Sequence, residues 1–131
     1  MKKLIRAERL DNGLVVEFYD RSNRYFGDYH RVCLEVSCRI PLTVELFNGS
    51  ADPAGTLQQA MGLLGAAAVF SRRLEKMGVE GEAVEQARAE LTDSFLRTTV
   101  AYLGSSDFPA RYVAAEMQRR RTGRRPQWPQ I

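Results

Sequence analysis

The chain has 131 residues, of which 44% are hydrophobic and 27% are charged. This length predicts one globular domain whose core is stable without a structural metal ion or a disulfide, and the composition is that of an ordinary soluble protein. The longest apolar run, residues 60–70, is far shorter than the roughly 20 residues of a membrane-spanning helix. The N-terminus lacks the apolar core of a signal peptide. We therefore expect a cytoplasmic protein with no membrane partner.

Positive charge is concentrated near the C-terminus. The net charge is +3, but residues 119–125 contain five arginines and no acidic residue. Removing these five charges from +3 leaves −2 for residues 1–118, because residues 126–131 carry no charged side chain. We predict a single, mildly acidic domain over residues 1–118, followed by a basic arm over residues 119–131. Binding of a phosphate polymer would have to depend on this arm or on a local basic cluster.

The first half of the chain has the two-residue periodicity of β-strands. We predict strands over residues 3–10, 14–20 and 31–40, with a tight turn at residues 11–13. Residues 42–47 either extend the third strand or form a short fourth one. Alternate side chains of the third strand are apolar and would face the core: Val32, Leu34, Val36, Cys38 and Ile40. This pattern predicts an antiparallel meander of three to four strands with one buried face.

The two cysteines, Cys33 and Cys38, both fall on the third predicted strand. Five residues of strand span roughly 17 Å, whereas the Cα atoms of a disulfide lie within about 7 Å of each other. Their side chains would also point to opposite faces of the sheet. We therefore predict two free thiols, as in a reducing compartment. No spacing typical of metal ligands is present, so we predict no metal site.

The second half of the chain has helical periodicity. Asp52 and Pro53 are typical of a helix start, and we predict a first helix from there to about Met77, capped by Gly78. The second helix is predicted over about 81–103 and the third over about 108–121. The first two would form an antiparallel hairpin. The predicted fold is therefore α+β, with an N-terminal antiparallel sheet packed against a C-terminal helical hairpin and a third helix.

Two glycines within the first predicted helix, Gly62 and Gly65, indicate that another element packs close to its backbone. That element would be the second helix or the sheet of the same chain, or the same helix of a second copy.

Residues 20–31, DRSNRYFGDYHR, are the first candidate binding segment. Arginines and rings alternate there, which favours stacking on bases and contact with phosphates, or hot spots of a protein interface. The alternative is a long hairpin connection, turned at Gly27–Asp28, whose rings fold back on the sheet and whose arginines are neutralised by nearby acids. The candidate binding residues of this segment are Arg21, Arg24, Tyr25, Phe26, Tyr29, His30 and Arg31.

The basic arm is the second candidate, with Trp128 as an anchor for the arm on this chain or on a neighbour. It would contact phosphates, or it would be a solvated tail that keeps the protein soluble. Its candidate residues are Arg119, Arg120, Arg121, Arg124, Arg125 and Trp128.

Catalytic chemistry has little support in the sequence. His30 is the only histidine, no nucleophile elbow is present, and no glycine-rich phosphate loop follows a strand. We therefore expect a protein without enzymatic activity or cofactor, which acts as a protein-interaction or self-associating module. Its partner would be another protein or a second copy in a homodimer. The alternative is a nucleic-acid-binding protein that uses the basic arm together with residues 20–31.

Overall fold

The computed structural model describes residues 2–123 and confirms the α+β class, with an antiparallel sheet of five strands and three α-helices. The strands are β1 Lys3–Arg9, β2 Val15–Asp20, β3 Asn23–Phe26, β4 Tyr29–Pro41 and β5 Ala67–Glu80. The helices are α1 Pro53–Leu64, α2 Val84–Leu103 and α3 Phe108–Arg121, with short 3-10 helices at Val44–Phe47 and Gly81–Ala83. Within residues 2–123, no helix combines the length and the apolar composition that a membrane crossing requires.

The chain divides into two compact units. Among the described residues, unit 1 contains residues 2–38 together with Val69–Ser105, and unit 2 contains Arg39–Ala68 together with residues 106–123. Unit 1 therefore holds most of the sheet and α2, while unit 2 holds α1 and α3. The expected single domain over residues 1–118 stays a prediction.

The sheet of unit 1 is built from two successive hairpins. β1 and β2 pair antiparallel across the predicted turn, where Gly13 has a φ of +88°. β2 then pairs with β4, so that Val16 lies opposite Cys38, and β3 continues the same ladder with Asn23 opposite Arg31. The only break between β2 and β3 is at residues 21–22. There the Ser22 hydroxyl accepts the backbone N–H of Cys33 at 3.0 Å, which replaces a backbone partner.

One face of this sheet is buried, as predicted. Val32, Leu34 and Val36 of β4 are fully buried. α2 covers this face, because the Phe18 ring meets the Phe95 ring edge to face with centroids 5.7 Å apart. A cluster at one end of α2 completes the contact, and it consists of Val32, Val79, Val84, Ala87 and Leu91.

Turn residues of the two hairpins bond to the chain near both ends of α2. Just before α2, the Asp28 carboxylate accepts the backbone N–H of Gly81, the first residue of the 3-10 helix Gly81–Ala83, at 3.2 Å. At its end, the Asn12 side-chain amide donates to the carbonyl oxygens of Leu103 at 2.7 Å and Ser105 at 2.9 Å. Backbone groups at helix ends have no partner inside the helix, so each cap satisfies groups that would otherwise need water.

The cysteines are both free, as predicted, and both are buried. Cys38 faces the α2 side, and burial followed by the nearby Glu17 carboxylate raises its pKa to about 11. Cys33 points to the opposite face, where the Arg31 guanidinium lies 3.5 Å from its sulfur. The sheet therefore covers its second face locally with long charged side chains.

The prediction of one helix from Pro53 to about Met77 is wrong. α1 ends at Leu64, Gly65 adopts a φ of +82°, and the chain then forms the 14-residue strand β5, which pairs with β4. Gly78 consequently lies inside a strand and caps no helix, and α1 and α2 are not a helical hairpin. Ala68 and Phe70 bury one face of β5, so packing in the sheet outweighs the helix propensity of this segment.

Unit 2 packs α1, α3 and the 3-10 helix Val44–Phe47 against one another. The 3-10 helix replaces the strand predicted over residues 42–47. Asp52 caps α1 as predicted, since its side chain accepts the N–H of Gly55. The predicted close packing at Gly62 is absent from the described residues, because a β-carbon there would meet no atom within 4 Å.

Candidate interaction surface

The end of the β3–β4 hairpin carries the most exposed aromatic cluster of the described chain. β3 and β4 are joined by the two-residue turn Gly27–Asp28, and Gly27 adopts a φ of +54°. Phe26 and Tyr29 flank this turn as a cross-strand pair. We call residues 25–29 the hairpin tip. The segment predicted as a long connection is therefore mostly paired strand, with its turn at the predicted position.

The rings of the hairpin tip face solvent. Phe26 is 72% exposed, Tyr25 is 48% exposed and Tyr29 is 45% exposed. The Tyr25 hydroxyl lies beside Gly78 of β5, 3.9 Å from the position that a β-carbon would occupy there. The three rings are therefore not buried, although Tyr25 lies against the sheet at β5.

Two of the three arginines in the segment are held by carboxylates. Arg21 donates to Glu35 at 2.7 Å, and Arg31 donates to Glu75 of β5 at 3.0 Å. The hydrogen bond from Arg21, together with the charge of Lys2 at 3.7 Å, holds the pKa of Glu35 below its usual value despite partial burial. These charges are therefore largely neutralised within the chain.

Arg24 and His30 lie on the paired strands just inside the tip, opposite each other in the ladder. Arg24 is exposed and has no ion-pair partner among residues 2–123. His30 is half-buried, with its Nε2 atom 3.9 Å from an oxygen of Asp28. Arg24 is thus the one cation of the segment that is available to an external anion.

The structure places the first three residues of the predicted arm on α3. Arg119, Arg120 and Arg121 form its last turn. Arg119 pairs with Glu116 at 2.8 Å, and Arg121 donates to the Gln59 side chain at 3.2 Å, while Arg120 is exposed. Arg124, Arg125 and Trp128 lie outside the described residues.

The carboxylates of one polar groove of unit 1 are held in ion pairs. A groove of about 560 Å³ lies between β1 and α2 and contains three carboxylates. Asp20 is 2.9 Å from Arg88, Glu85 also pairs with Arg88, and Asp93 is 3.5 Å from Arg6. Asp20 is partly buried, which opposes its ionisation. The Ser22 and Arg88 hydrogen bonds nevertheless lower its pKa, the opposite of what a general acid needs. Among the described residues, no group of three or more His, Cys, Asp or Glu side chains could hold a metal ion.

Residues of β5 next to the tip were missed by the sequence reasoning. Met77 is exposed, and Glu75 is the partner of Arg31. The helix predicted over this segment places neither residue beside the hairpin. Residues 67–70 are all apolar, so no alternation of apolar and polar residues indicated a strand at its start.

No family model matches this chain, and comparison with curated proteins and with solved structures gave no significant match. The function therefore has to be inferred from the geometry of the chain itself.

Proposed function

We propose that this chain is a non-enzymatic protein-interaction or self-associating module whose recognition surface is the hairpin tip. The observation that carries this proposal is the exposure of Tyr25, Phe26 and Tyr29 around a two-residue turn. Large rings are the side chains that most often dominate the energy of protein interfaces. Three rings around one turn form a compact, largely apolar projection that can insert into a pocket on a partner.

The rigidity of the hairpin supports recognition by this surface. The turn is anchored by the bond from Gly81 to Asp28, and the strand behind it by the ion pair of Arg31 with Glu75. A surface that is already ordered loses less conformational entropy when it binds. Most of the free energy gained by burying the rings against a partner can therefore appear as binding affinity.

The charge pattern favours a protein over a polyanion as the partner. Arg21 and Arg31 already have carboxylate partners, so a phosphate chain would have to displace Glu35 and Glu75. An apolar or weakly polar pocket would accept the rings without breaking these pairs.

The test is site-specific photo-crosslinking followed by titration. A photoreactive amino acid at position 26 should capture a protein in cells that express the chain, and one at position 61 on exposed α1 is the control. The captured protein, purified, is then titrated calorimetrically with the wild type and with Phe26→Ala, Tyr29→Ala and Met61→Ala.

We expect Phe26→Ala to weaken binding about 30-fold, because a hot-spot ring contributes about 2 kcal/mol. Met61→Ala should change it less than about threefold. Equal affinities of Phe26→Ala and Met61→Ala would exclude the hairpin tip as the recognition surface. A wild type that captures no protein and stays monomeric in light scattering would exclude the function itself.

Nucleic-acid binding is the second candidate, supported by exposed Arg24 and by the arginines in the last turn of α3. Binding through phosphate contacts weakens steeply with added salt. A salt titration with single-stranded and duplex oligonucleotides tests it. Arg24→Ala should lower both the affinity and the dependence of the affinity on salt concentration. Nucleic-acid binding is ruled out if the affinity does not change with salt, or if no binding occurs at low salt.

We also propose a cytoplasmic location, because both cysteines are free and buried and such thiols persist in reducing compartments.

A further inference from the structure

β5 is an edge strand: between Ser71 and Met77, its second edge has no partner strand among residues 2–123. From Ser71 to Met77 its side chains are exposed or half-buried. An unpaired edge of this length presents a row of backbone N–H and C=O groups, which is a template for pairing with another chain.

Two hydrogen bonds identify the backbone groups that face this free edge. The N–H of Arg21 donates to the Cys33 carbonyl at 2.8 Å, so the odd-numbered residues of β4 bond toward β2. The even-numbered ones are left for β5, in agreement with the bond from Leu42 to the Ala66 carbonyl at 3.0 Å. In an antiparallel ladder, successive residues bond to opposite neighbours. The odd-numbered residues of β5 between Ser71 and Met77 therefore direct their N–H and C=O groups outward.

The charge order along this edge selects one symmetric register. A two-fold axis at Arg73 would place Arg73 opposite itself, and an axis at Glu75 would place Glu75 opposite itself. An axis at Leu74 places Arg73 opposite Glu75 of the other copy, and it does so twice. Opposite charges directly across an antiparallel pair stabilise it, whereas like charges destabilise it.

On the other face of the strand, the Leu74 register brings Arg72 opposite Lys76 of the second copy. Each of these cations already has an interaction within its own chain. The Arg72 guanidinium lies 5.6 Å from the centroid of the Phe70 ring and 6.0 Å from that of Phe95. The Lys76 ammonium is 3.7 Å from Glu90. Their mutual repulsion is therefore reduced.

We propose that two copies of this chain associate by antiparallel pairing of their β5 edges about Leu74, with Arg73 facing Glu75 of the other copy. This inference specifies the self-associating form of the proposed function and uses a surface other than the hairpin tip. The two sheets join into one that continues through both copies.

The first test is a charge-swap series measured by sedimentation equilibrium over a wide concentration range. Arg73→Glu and Glu75→Arg each place like charges opposite each other twice, and each should weaken the dimer about tenfold or more. The double variant Arg73→Glu/Glu75→Arg restores opposite charges across the interface and should recover most of the affinity. Arg9→Glu on β1 changes the net charge as much as Arg73→Glu and should leave the dimer intact.

The double variant separates the interface from effects inside the chain. Glu75 pairs with Arg31 of its own chain, and Arg73 lies near Glu35. The swap does not restore either of these intrachain interactions, so recovery of the dimer isolates the contact between copies.

The second test is positional and does not depend on charge. Leu74→Cys places one thiol on the two-fold axis, where opposed Cα atoms of a non-hydrogen-bonded pair lie about 4.5 Å apart, within disulfide range. It should form a disulfide-linked dimer under mild oxidation. Arg72→Cys is the control, because its copies are separated by about four residues of strand, roughly 13 Å. The native thiols are buried.

A strict monomer at all concentrations would overturn the proposal. So would a dimer that neither single charge reversal weakens, or one in which Arg72→Cys links as fast as Leu74→Cys. The two proposals fail separately. Phe26→Ala should leave the dimer unchanged, and Arg73→Glu should leave capture by the hairpin tip unchanged.

Discussion

The cap that Asp28 provides to Gly81 can be tested by a double-mutant cycle. Asp28→Ala removes the carboxylate that accepts the first N–H before α2, at 3.2 Å. Removal of a capping side chain costs about 1 kcal/mol of unfolding free energy. The bond joins the hairpin turn to the helix start, so its loss also loosens the hairpin tip.

Gly81→Ala probes the same contact from the other side. A β-carbon at position 81 would be 2.4 Å from one Asp28 oxygen and 3.2 Å from its Cγ atom. The carboxylate must therefore move away and the cap is lost. Without the carboxylate, alanine should stabilise by about 0.4–1 kcal/mol, because it restricts the unfolded chain more than glycine does. Gly81→Ala should thus be neutral or destabilising in the wild type and stabilising in Asp28→Ala.

Urea unfolding of the four proteins gives the coupling free energy, which we expect to be about 1 kcal/mol. Additive effects, within about 0.3–0.5 kcal/mol, would refute the capping role of Asp28. Gly62→Ala is a matched control, since a β-carbon there meets no described atom within 4 Å. Its effect should be the same with and without Asp28.

Three further predictions concern the sheet and α1. Val16→Ala should lower the free energy of unfolding, measured with urea, by about 2–3 kcal/mol. Val16 is fully buried, so the substitution removes two buried methyl groups and leaves a cavity. Val15→Ala on the exposed side should cost less than about 0.5 kcal/mol, and equal costs would contradict the register. Gly78→Ala should destabilise by about 1–2 kcal/mol because Gly78 has a φ of +70°, whereas Gly62→Ala in α1 should raise the melting temperature. In a Cys33→Ala background, stability should fall as the pH rises from about 9 toward about 11, since the unfolded chain ionises Cys38 first, and a flat pH profile would contradict its burial.

The sequence predicted an element correctly where its hydrophobic periodicity agreed with the residues typical of its start or end. Residues 31–40 of β4 alternate, Gly104 follows the end of α2, and Pro109 lies in the first turn of α3, so these elements were predicted to within three residues. Over residues 67–77 two rhythms coexist. Ala, Leu, Glu, Lys and Met favour a helix, while Ala68 and Phe70 fit one face of a strand. Pairing with the free edge of β4 stabilises the strand in this segment. A prediction from neighbouring residues alone cannot include such a long-range partner.

The candidate surface could be predicted in composition but not in charge state. The sequence of residues 20–31 indicated a group of rings, and the structure exposes Tyr25, Phe26 and Tyr29 at one turn. The turn at Gly27–Asp28 followed from glycine. The partners of the arginines were not all local. Arg31 pairs with Glu75, 44 residues away, on the segment that was expected to be helical. An error in one element therefore concealed which arginine remains available.

The position of the rings follows from how α2 is held. Side chains of the two hairpin turns hold the chain near both ends of α2. Asp28 accepts the N–H of Gly81 in the 3-10 helix before it, and Asn12 donates to the Leu103 carbonyl at its end. The helix in turn covers the buried face of the sheet through Phe95. The β3–β4 hairpin therefore cannot bend toward or away from the helix without breaking a cap. Phe26 therefore lies on a hairpin that is held in place by these contacts, and its exposure results from the fold and not from a mobile loop. Such a ring is available to a partner at little entropic cost, which is why the hairpin tip is preferred here over the charged grooves.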